Sequence, residues 1–207
     1  MRWQSTPVRA RRPPPAAFVP LCQPILSHKV PEGPQWQHEV KYDGYRMLAR
    51  RQGDRIDLWS RHGLSWTQAF MGVATDLSHL AATSIAIDGE MILGHESGLQ
   101  DFHGLRSTYR QPEAVLVAFD LLELDGSDLR SRPLVERRAL LEEAVKGSSG
   151  HILFSEALDG PTGSALLRHA CAMGLEGIVS KRLDAPYRAG RDPRWLKIKC
   201  PNYERQG

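Results

Sequence analysis

The chain has 207 residues, of which 41% are hydrophobic and 25% are charged, and it carries a formal net charge of +3. These values are typical of a soluble globular protein with one sizeable core, or of one domain with a small appendage. The mild basicity is compatible with a nucleic-acid or nucleotide partner, while the longest apolar run, residues 114–119, is too short to span a bilayer.

The N-terminus and the cysteines indicate a cytoplasmic protein without a membrane partner. The first residues hold arginines and prolines but no apolar core, which argues against a signal peptide. Cys22, Cys171 and Cys200 are far apart, odd in number and without metal-ligand spacing, so we predict reduced thiols and no disulfide. The eight histidines are scattered, and no zinc site is expected.

Composition divides the chain into three parts. Residues 1–20 carry arginines followed by three prolines, which together predict an extended arm. The arm either contacts a phosphate backbone or is a disordered tail. Residues 21–200 are predicted to form the folded domain, and residues 201–207 a C-terminal tail.

The first half of the domain predicts strands followed by one helix. The strands are expected at 36–41, 45–51 and 55–60. The helix opens at Ser65, with Gln68 placed for a capping box. Its apolar residues, spaced four and three apart, share one core-facing side: Trp66, Phe70, Val73, Leu77 and Leu80.

The second half mixes strands and helices without regular alternation. Strands are predicted at 84–93, as one long strand or a pair around Asp88-Gly89, and at 114–124, 151–155, 177–181 and 195–199. One helix follows Pro133 and another follows Thr162 and ends at Gly174. The residues expected to be buried on these helices are Leu134, Leu141 and Val145, then Leu166, Ala170 and Met173. The order favours an α+β fold of mainly antiparallel sheets over a doubly wound parallel sheet.

The segment 39–46, EVKYDGYR, holds the candidate nucleophile, Lys41. A lysine amine attacks only when uncharged, and an ordinary pKa near 10.4 makes the neutral form cost roughly 4–5 kcal/mol at pH 7. Burial and neighbouring cations favour the neutral amine, and we expect such a site here. The alternative is a solvated strand lysine, because Asp-Gly between aromatic residues is also a hairpin signal.

Two segments between residues 60 and 92 are candidate binding sites. Arg61 lies beside Gly63 at a strand end, where the backbone could approach a phosphate or sugar, or where the arginine is simply exposed in a tight turn. Asp88 and Glu90 point to one face of an apolar strand. Carboxylates on such a face need a cation, and Mg²⁺ prefers oxygen ligands; a solvated hairpin turn is the alternative.

Three later segments complete the set. Phe119 lies in a buried strand and either stacks on a base or fills the core. Glu176 is either a second metal-facing acid or a surface charge at a helix-to-strand junction. Lys197 and Lys199 share one face of the last strand, where their repulsion indicates a bound polyanion rather than an edge strand protected by lysines. With Lys41, these residues describe one nucleotide-handling pocket.

The order of these segments resembles the adenylation (nucleotidyltransferase) domain of ATP-dependent DNA ligases, a group within the covalent nucleotidyltransferases. The segments 41–46 (KYDGYR), 60–63 (SRHG), 88–90 (DGE), 119–122 (FDLL), 176–179 (EGIV) and 196–199 (LKIK) follow in family order over about residues 20–200. Residues 176–182 and 195–199 are most similar to the ligase domain of bacterial end-joining ligases. The resemblance implies two mainly antiparallel sheets flanked by helices, in an ATP-grasp-like arrangement.

The resemblance also implies roles for the candidate residues. Lys41 would attack the α-phosphate of ATP and form a lysyl-AMP, which passes to a 5′-phosphate at a nick before the 3′-hydroxyl displaces AMP. Glu39 would recognise the adenine edge and Phe119 would stack on its face. The remaining roles divide between ribose and phosphate contacts (Arg46, Arg61, Glu90), Mg²⁺ (Glu90, Glu176) and the α-phosphate (Lys197, Lys199).

The chain departs from the family pattern in two ways. His62 stands where an asparagine is often found, and only eight residues follow Lys199, where these ligases normally continue into an OB-fold domain. We therefore expect no OB-fold domain, slow self-adenylation and weak nick binding, in a monomer acting on nicked or broken double-stranded DNA with other end-joining repair proteins. The alternatives are a non-catalytic nucleotide- or DNA-end-binding module and an RNA ligase or GTP-dependent capping enzyme.

Overall fold

The computed structural model describes residue 15 and residues 17–94, 101–159 and 162–203. The predicted basic arm falls almost wholly outside these residues. Its described end packs against the core through Ala17, Phe18 and Val19.

Eleven strands and three helices make up the described part of the chain. The strands are β1 (Cys22–Leu26), β2 (Trp36–Val40), β3 (Tyr45–Gln52), β4 (Arg55–Ser60), β5 (Ser84–Ile92), β6 (Val115–Leu124), β7 (Ser127–Asp128), β8 (Ile152–Phe154), β9 (Ala157–Asp159), β10 (Gly177–Arg182) and β11 (Gly190–Lys199). The helices are α1 (Met71–His79), α2 (Leu134–Val145) and α3 (Gly163–Ala172).

The strands form two sheets. The first has five strands in the order β1-β11-β10-β2-β9, and the second has the order β4-β3-β5-β6-β7 with β8 paired to β6. Every pair is antiparallel except β1 with β11 and β6 with β8. The predicted mixed fold of mainly antiparallel sheets is confirmed.

The segment around Asp88-Gly89 is one continuous strand, which resolves the choice left by the sequence. β5 pairs with β3 on one side and with β6 on the other. A side chain at position 89 would contact the carbonyl of Val117 on the neighbouring strand, so glycine is required by close packing and not by a turn.

Helix α1 begins at Met71, and the prediction of a helix opening at Ser65 is wrong. Ser65 forms a bridge with Trp59, and the backbone N–H of Trp66 donates to Leu58, so this segment extends the edge of β4. The strand-like pairing of residues 65 and 66 is incompatible with a helical turn that starts at Ser65. The predicted apolar face is otherwise correct, because Phe70, Val73, Leu77 and Leu80 are all buried while Trp66 packs at the margin.

Helices α2 and α3 lie where the sequence places them. Leu134, Leu141 and Val145 of α2 are buried as predicted. On α3 the prediction fails for Met173, which is 52% exposed because the helix ends at Ala172 and the chain leaves the helical path. Gly174 ends the helix as predicted, with a φ of 73°.

Cys171 and Cys200 form a disulfide, which corrects the prediction of three reduced thiols. The bridge joins the end of α3 to the residue after β11, and the two Cα atoms are 5.4 Å apart. Their separation of 29 residues concealed the pairing, because the β10–β11 hairpin brings them together. Cys22 is a free, buried thiol, and burial raises its pKa to about 12.

Among the described residues, no helix is long and apolar enough to cross a membrane.

Candidate active site

Lys41 lies in the short connection between the two sheets. It follows β2 of the first sheet and precedes β3 of the second, so residues 41–44 are not the tight hairpin that the Asp-Gly signal also allowed. A side chain at position 44 would collide with the backbone carbonyl of Met91, which explains the glycine there. The connection therefore runs closely against β5.

Glu176 links two of the predicted lysines. Its Oε2 accepts from Lys41 Nζ at 2.5 Å, and its Oε1 accepts from Lys199 Nζ at 2.7 Å. The Glu176 side chain is 3% exposed and that of Lys41 is 19% exposed, so the carboxylate is covered while the amine still reaches the cleft. The structure thus brings together three predicted residues from the two ends of the chain.

Lys197 lines an open cleft together with Lys41, but unlike Lys41 and Lys199 it forms no salt bridge with Glu176. Burial and the nearby charges of Lys41 and Lys199 lower its pKa. No hydrogen bond to Lys197 Nζ occurs within the described residues. An ammonium without a carboxylate partner is suited to receive an anionic ligand.

Arg46 is held by a residue of the neighbouring strand. Its Nε and Nη2 donate to the two oxygens of Asp88 at 2.6 and 2.8 Å. Asp88 is fully buried, so it serves this ion pair and does not face a metal site. The guanidinium lies 4.3 Å from the centre of the Phe119 ring, which places Arg46 between the core and the cleft.

Glu90 lies two residues after Asp88 on β5. Unlike Asp88, it forms no salt bridge with an arginine among the described residues. Burial raises its pKa to about 7, against the opposing charges of Arg46 and Lys41. It lines the cleft beside Lys41.

Phe119 forms one wall of a narrow pocket next to Lys41. Lys181 Nζ lies 4.2 Å from the centre of its ring and 4.3 Å from that of Trp195. The cavity volume is about 60 Å³, which is far below the roughly 300 Å³ at which small-molecule pockets usually begin. The buried indole nitrogen of Trp195 has no hydrogen-bond partner within the described chain, so the pocket wall keeps an open donor.

The carboxylate of Glu39 already accepts hydrogen bonds from protein donors, which limits the contact with the adenine edge that the resemblance implies. Its Oε1 accepts from Gln37 at 2.7 Å and from Arg138 at 3.1 Å. Its Oε2 accepts from Ser155 at 3.2 Å and from Lys181 at 2.8 Å. Four donors fill the roughly four acceptor sites of a carboxylate, so a base edge would have to replace one of them.

A second, larger cleft opens on the other side of Lys41. Its volume is about 380 Å³, and its charged lining residues are Lys41, Arg46, Arg61, Glu90, Arg191 and Lys197. Arg61 is exposed at the cleft edge, as the sequence suggests. The single carboxylate among five cations makes this cleft suitable for phosphate groups.

Sequence reasoning missed several residues that hold the site together. Tyr187 donates to Asp88 at 2.6 Å, Arg138 supports Glu39, and Arg191 extends the cationic cleft. Lys181, which donates to Glu39 at 2.8 Å from the end of β10, has no predicted role either. Only Arg138 had a local signal, because it lies on the helix face between Leu134 and Leu141, where an apolar residue is expected.

Two sheets that meet at a lysine-bearing connection, with an aromatic pocket and a cationic cleft beside it, define a nucleotidyltransferase-type domain. The sequence model described as ATP dependent DNA ligase domain matches residues 21–199. The chain belongs to this ATP-dependent DNA ligase domain family.

Curated relatives agree with this assignment. The multifunctional non-homologous end joining protein LigD of Pseudomonas aeruginosa is 35% identical over 178 residues, which cover 84% of this chain and 21% of that protein. A DNA ligase of Thermococcus fumicolans is 32% identical over 176 residues, covering 78% of this chain and 32% of that protein. The chain therefore spans only about a fifth to a third of these relatives.

Solved structures give the same result. A mycobacterial DNA ligase D complexed with ATP and MES superposes with a TM-score of 0.73 and 29% identity, over 86% of this chain and 60% of that one. The ligase domain of Mycobacterium tuberculosis LigD also has a TM-score of 0.73, with 30% identity over 86% of this chain and 58% of that one.

Proposed function

We propose that this chain is the adenylating module of an ATP-dependent DNA ligase and that Lys41 carries the covalent AMP. The observation that supports this most directly is the position of Lys41, which lines both the aromatic pocket and the cationic cleft. A nucleotide with its phosphates in the cleft would place the α-phosphate beside the amine, and its base would reach Phe119 only by displacing Lys181 or Arg46 from the ring.

The proposed first step is attack of the Lys41 amine on the α-phosphorus of ATP. The amine must first lose a proton, and Glu176 is the carboxylate in contact with it. A bond forms between Nζ and phosphorus, the bond from phosphorus to the bridging oxygen breaks, and pyrophosphate leaves. Lys197 and Lys199 would stabilise the charge that develops on the α-phosphate oxygens.

The residues around Lys41 are compatible with Mg²⁺ when substrate phosphates complete the ligand set. No cluster of three or more acidic, histidine or cysteine side chains exists in the described ranges, so the chain alone offers no closed metal cage. Magnesium typically uses one or two carboxylates plus phosphate oxygens. Glu90 is the better placed ligand, because both oxygens of Glu176 accept from lysines. Bound Mg²⁺ would neutralise charge on the phosphates.

In the two later steps AMP passes to the 5′-phosphate of nicked or broken double-stranded DNA, and the 3′-hydroxyl then displaces it. The name of the Pseudomonas aeruginosa relative supports a role in end joining. A cytoplasmic location and other repair proteins as partners are part of the proposal. The folded module is proposed to occupy residues 21–200, since the matching region is 21–199.

Intact mass spectrometry after incubation with ATP and Mg²⁺ tests the proposal. We expect one AMP adduct on the wild-type chain, none on Lys41→Ala or Lys41→Arg, and a normal adduct on the control Lys146→Ala, whose lysine is 63% exposed. Parallel reactions with α-labelled GTP, and with nicked DNA and nicked RNA, define the substrate. Tight DNA binding without an adduct would instead indicate a non-catalytic binding module, and label from GTP alone a capping-type enzyme.

A further inference from the structure

Tyr187 occupies a position that no motif of the site explains. It lies in the connection between β10 and β11, and it is 6% exposed. Its hydroxyl donates to Asp88 Oδ2 at 2.6 Å and accepts from the backbone N–H of Cys22 at 2.8 Å. Burial and the adjacent Asp88 carboxylate raise the pKa of Tyr187, so the hydroxyl remains a donor at neutral pH.

These contacts close a ring of hydrogen bonds. Arg46 donates to the same Asp88 oxygen at 2.8 Å and to the carbonyl of Cys22 at 3.3 Å. Tyr187, Asp88, Arg46 and the Cys22 peptide are thus linked in a cycle. The two contacts of the Tyr187 hydroxyl are buried, and the two of Arg46 are partly buried, so an unmade hydrogen bond in the cycle is costly.

The cycle joins the two sheets at the site. Cys22 belongs to β1 of the first sheet, whereas Arg46 and Asp88 belong to β3 and β5 of the second. Arg46 and Glu90 both line the aromatic pocket, the cationic cleft and an adjoining surface groove beside Trp66. Whatever fixes Asp88 therefore fixes Arg46 where all three meet.

The rest of Tyr187 is anchored without its hydroxyl. Its backbone N–H donates to the backbone carbonyl of Arg130 at 2.8 Å. Its ring packs edge-on against Trp195, with ring centroids 6.0 Å apart. Removal of the hydroxyl alone should leave the ring in place, while Asp88 loses the hydrogen bond from Tyr187 and keeps the two from Arg46. The tyrosine oxygen can therefore be tested separately from the tyrosine ring.

We infer that Tyr187 is a positioning residue, which acts through Asp88 to hold the Arg46 guanidinium at the cationic cleft and so sets the affinity for the nucleotide. This inference rests on the proposed function and deepens it. Loss of the hydroxyl weakens a hydrogen bond to a charged group, for which we expect the KM for ATP to rise about 10-fold. A loss of folded protein would lower kcat and leave KM unchanged, which separates positioning from mere support.

The test is a double-mutant cycle on lysyl-AMP formation. Tyr187→Phe should raise the KM for ATP in the wild-type background and have no further effect in an Arg46→Met background, because the two act in one unit. Tyr109→Phe, at a site that is 86% exposed, is the matched control and should behave as wild type. Equal KM values for Tyr187→Phe and wild type, or equal fold changes in both backgrounds, would overturn the inference.

A second measurement keeps the two proposals distinguishable. The same cycle is run on the Kd for α,β-methylene ATP, which binds but cannot transfer AMP. Absence of any adduct on the wild type overturns the proposed function, whereas the Kd cycle still decides the role of Tyr187. Should Tyr187→Phe fail to fold by circular dichroism, Asp88→Asn removes the charge that pairs with Arg46 and must raise the Kd at least about 10-fold, and an unchanged Kd would overturn the inference.

Discussion

The amine of Lys41 donates to the carboxylate of Glu176 over 2.5 Å, although 135 residues separate them in the sequence. The ion pair joins the connection after β2 to the residue before β10. It fixes the position of the proposed nucleophile at the edge of the cleft. Lys199 shares the same carboxylate through the other oxygen and so weakens its hold on Lys41.

The two C-terminal lysines are predicted to differ in their importance. Lys197→Met removes the ammonium that faces the cleft, and the rate of lysyl-AMP formation should fall about 100-fold, the usual cost of one donor to a developing anion. Lys199→Met removes a 51% exposed group that is already paired, and the rate should fall about 10-fold or less. Single-turnover adduct formation measures both. A larger loss at Lys199 than at Lys197 would contradict the assignment.

Glu90 should make the stability of the protein depend on pH. Its pKa is about 7 in the folded protein, above the ordinary value of 4.5, so the folded state binds more protons than the unfolded state between these values. The stability of the wild-type protein relative to Glu90→Gln is therefore highest below about pH 4.5 and declines as the pH rises towards 7. Thermal melts from pH 4.5 to 8 measure the difference, with the exposed Glu156→Gln as control. A wild-type protein that gains stability relative to Glu90→Gln as the pH rises would contradict the prediction.

Arg138 should be one of the most destabilising positions to change. It donates to Glu39 and to the carbonyls of Phe119 and Ser155 from a buried position. Arg138→Met leaves the buried Glu39 carboxylate short of a cation, and we expect a loss of about 3 kcal/mol in the free energy of unfolding. Arg182→Met, which breaks an exposed pair with Asp184, should cost less than about 1 kcal/mol. Urea titrations that give similar values for both variants would refute the prediction.

The disulfide should contribute measurably to stability. It closes a segment of 29 residues, for which loop-entropy models give about 3–4 kcal/mol. Maleimide labelling of the unfolded, non-reduced chain should modify Cys22 alone, and labelling after reduction should modify all three cysteines. A melting temperature that does not fall with dithiothreitol, or with Cys171→Ser and Cys200→Ser combined, would argue against the bridge.

Local patterns predicted most of the fold. Strands β3, β4 and β6 follow alternating or continuous apolar runs, and the structure places their ends within a residue of the predicted positions. The start of α1 could not be predicted, because Ser65 and Gln68 satisfy a helix signal that pairing with β4 overrides. Edge pairing depends on a partner strand, and no short window of sequence contains it.

The sequence predicted the residues that line the pocket and the cleft, but not the residues that hold them in position. Glu90, Phe119 and Lys197 carry chemistry in segments with a recognisable order along the chain, and the structure places them around Lys41. Tyr187 and Lys181 act through contacts spanning 99 and 142 residues, so their roles depend on how the sheets meet. The same holds for the disulfide, whose partners are adjacent only in the folded hairpin.

The pairing of the first strand with the last one dictates an order of assembly. All strands of the second sheet come from residues 45–154, so this sheet can be completed while the ribosome is still making the rest of the chain. β1 and β2, by contrast, are synthesised long before β10 and β11, their neighbours in the first sheet. We expect closing that long loop to be the slow part of folding, so that the lysine-bearing connection gains its carboxylate partner only when this last sheet forms.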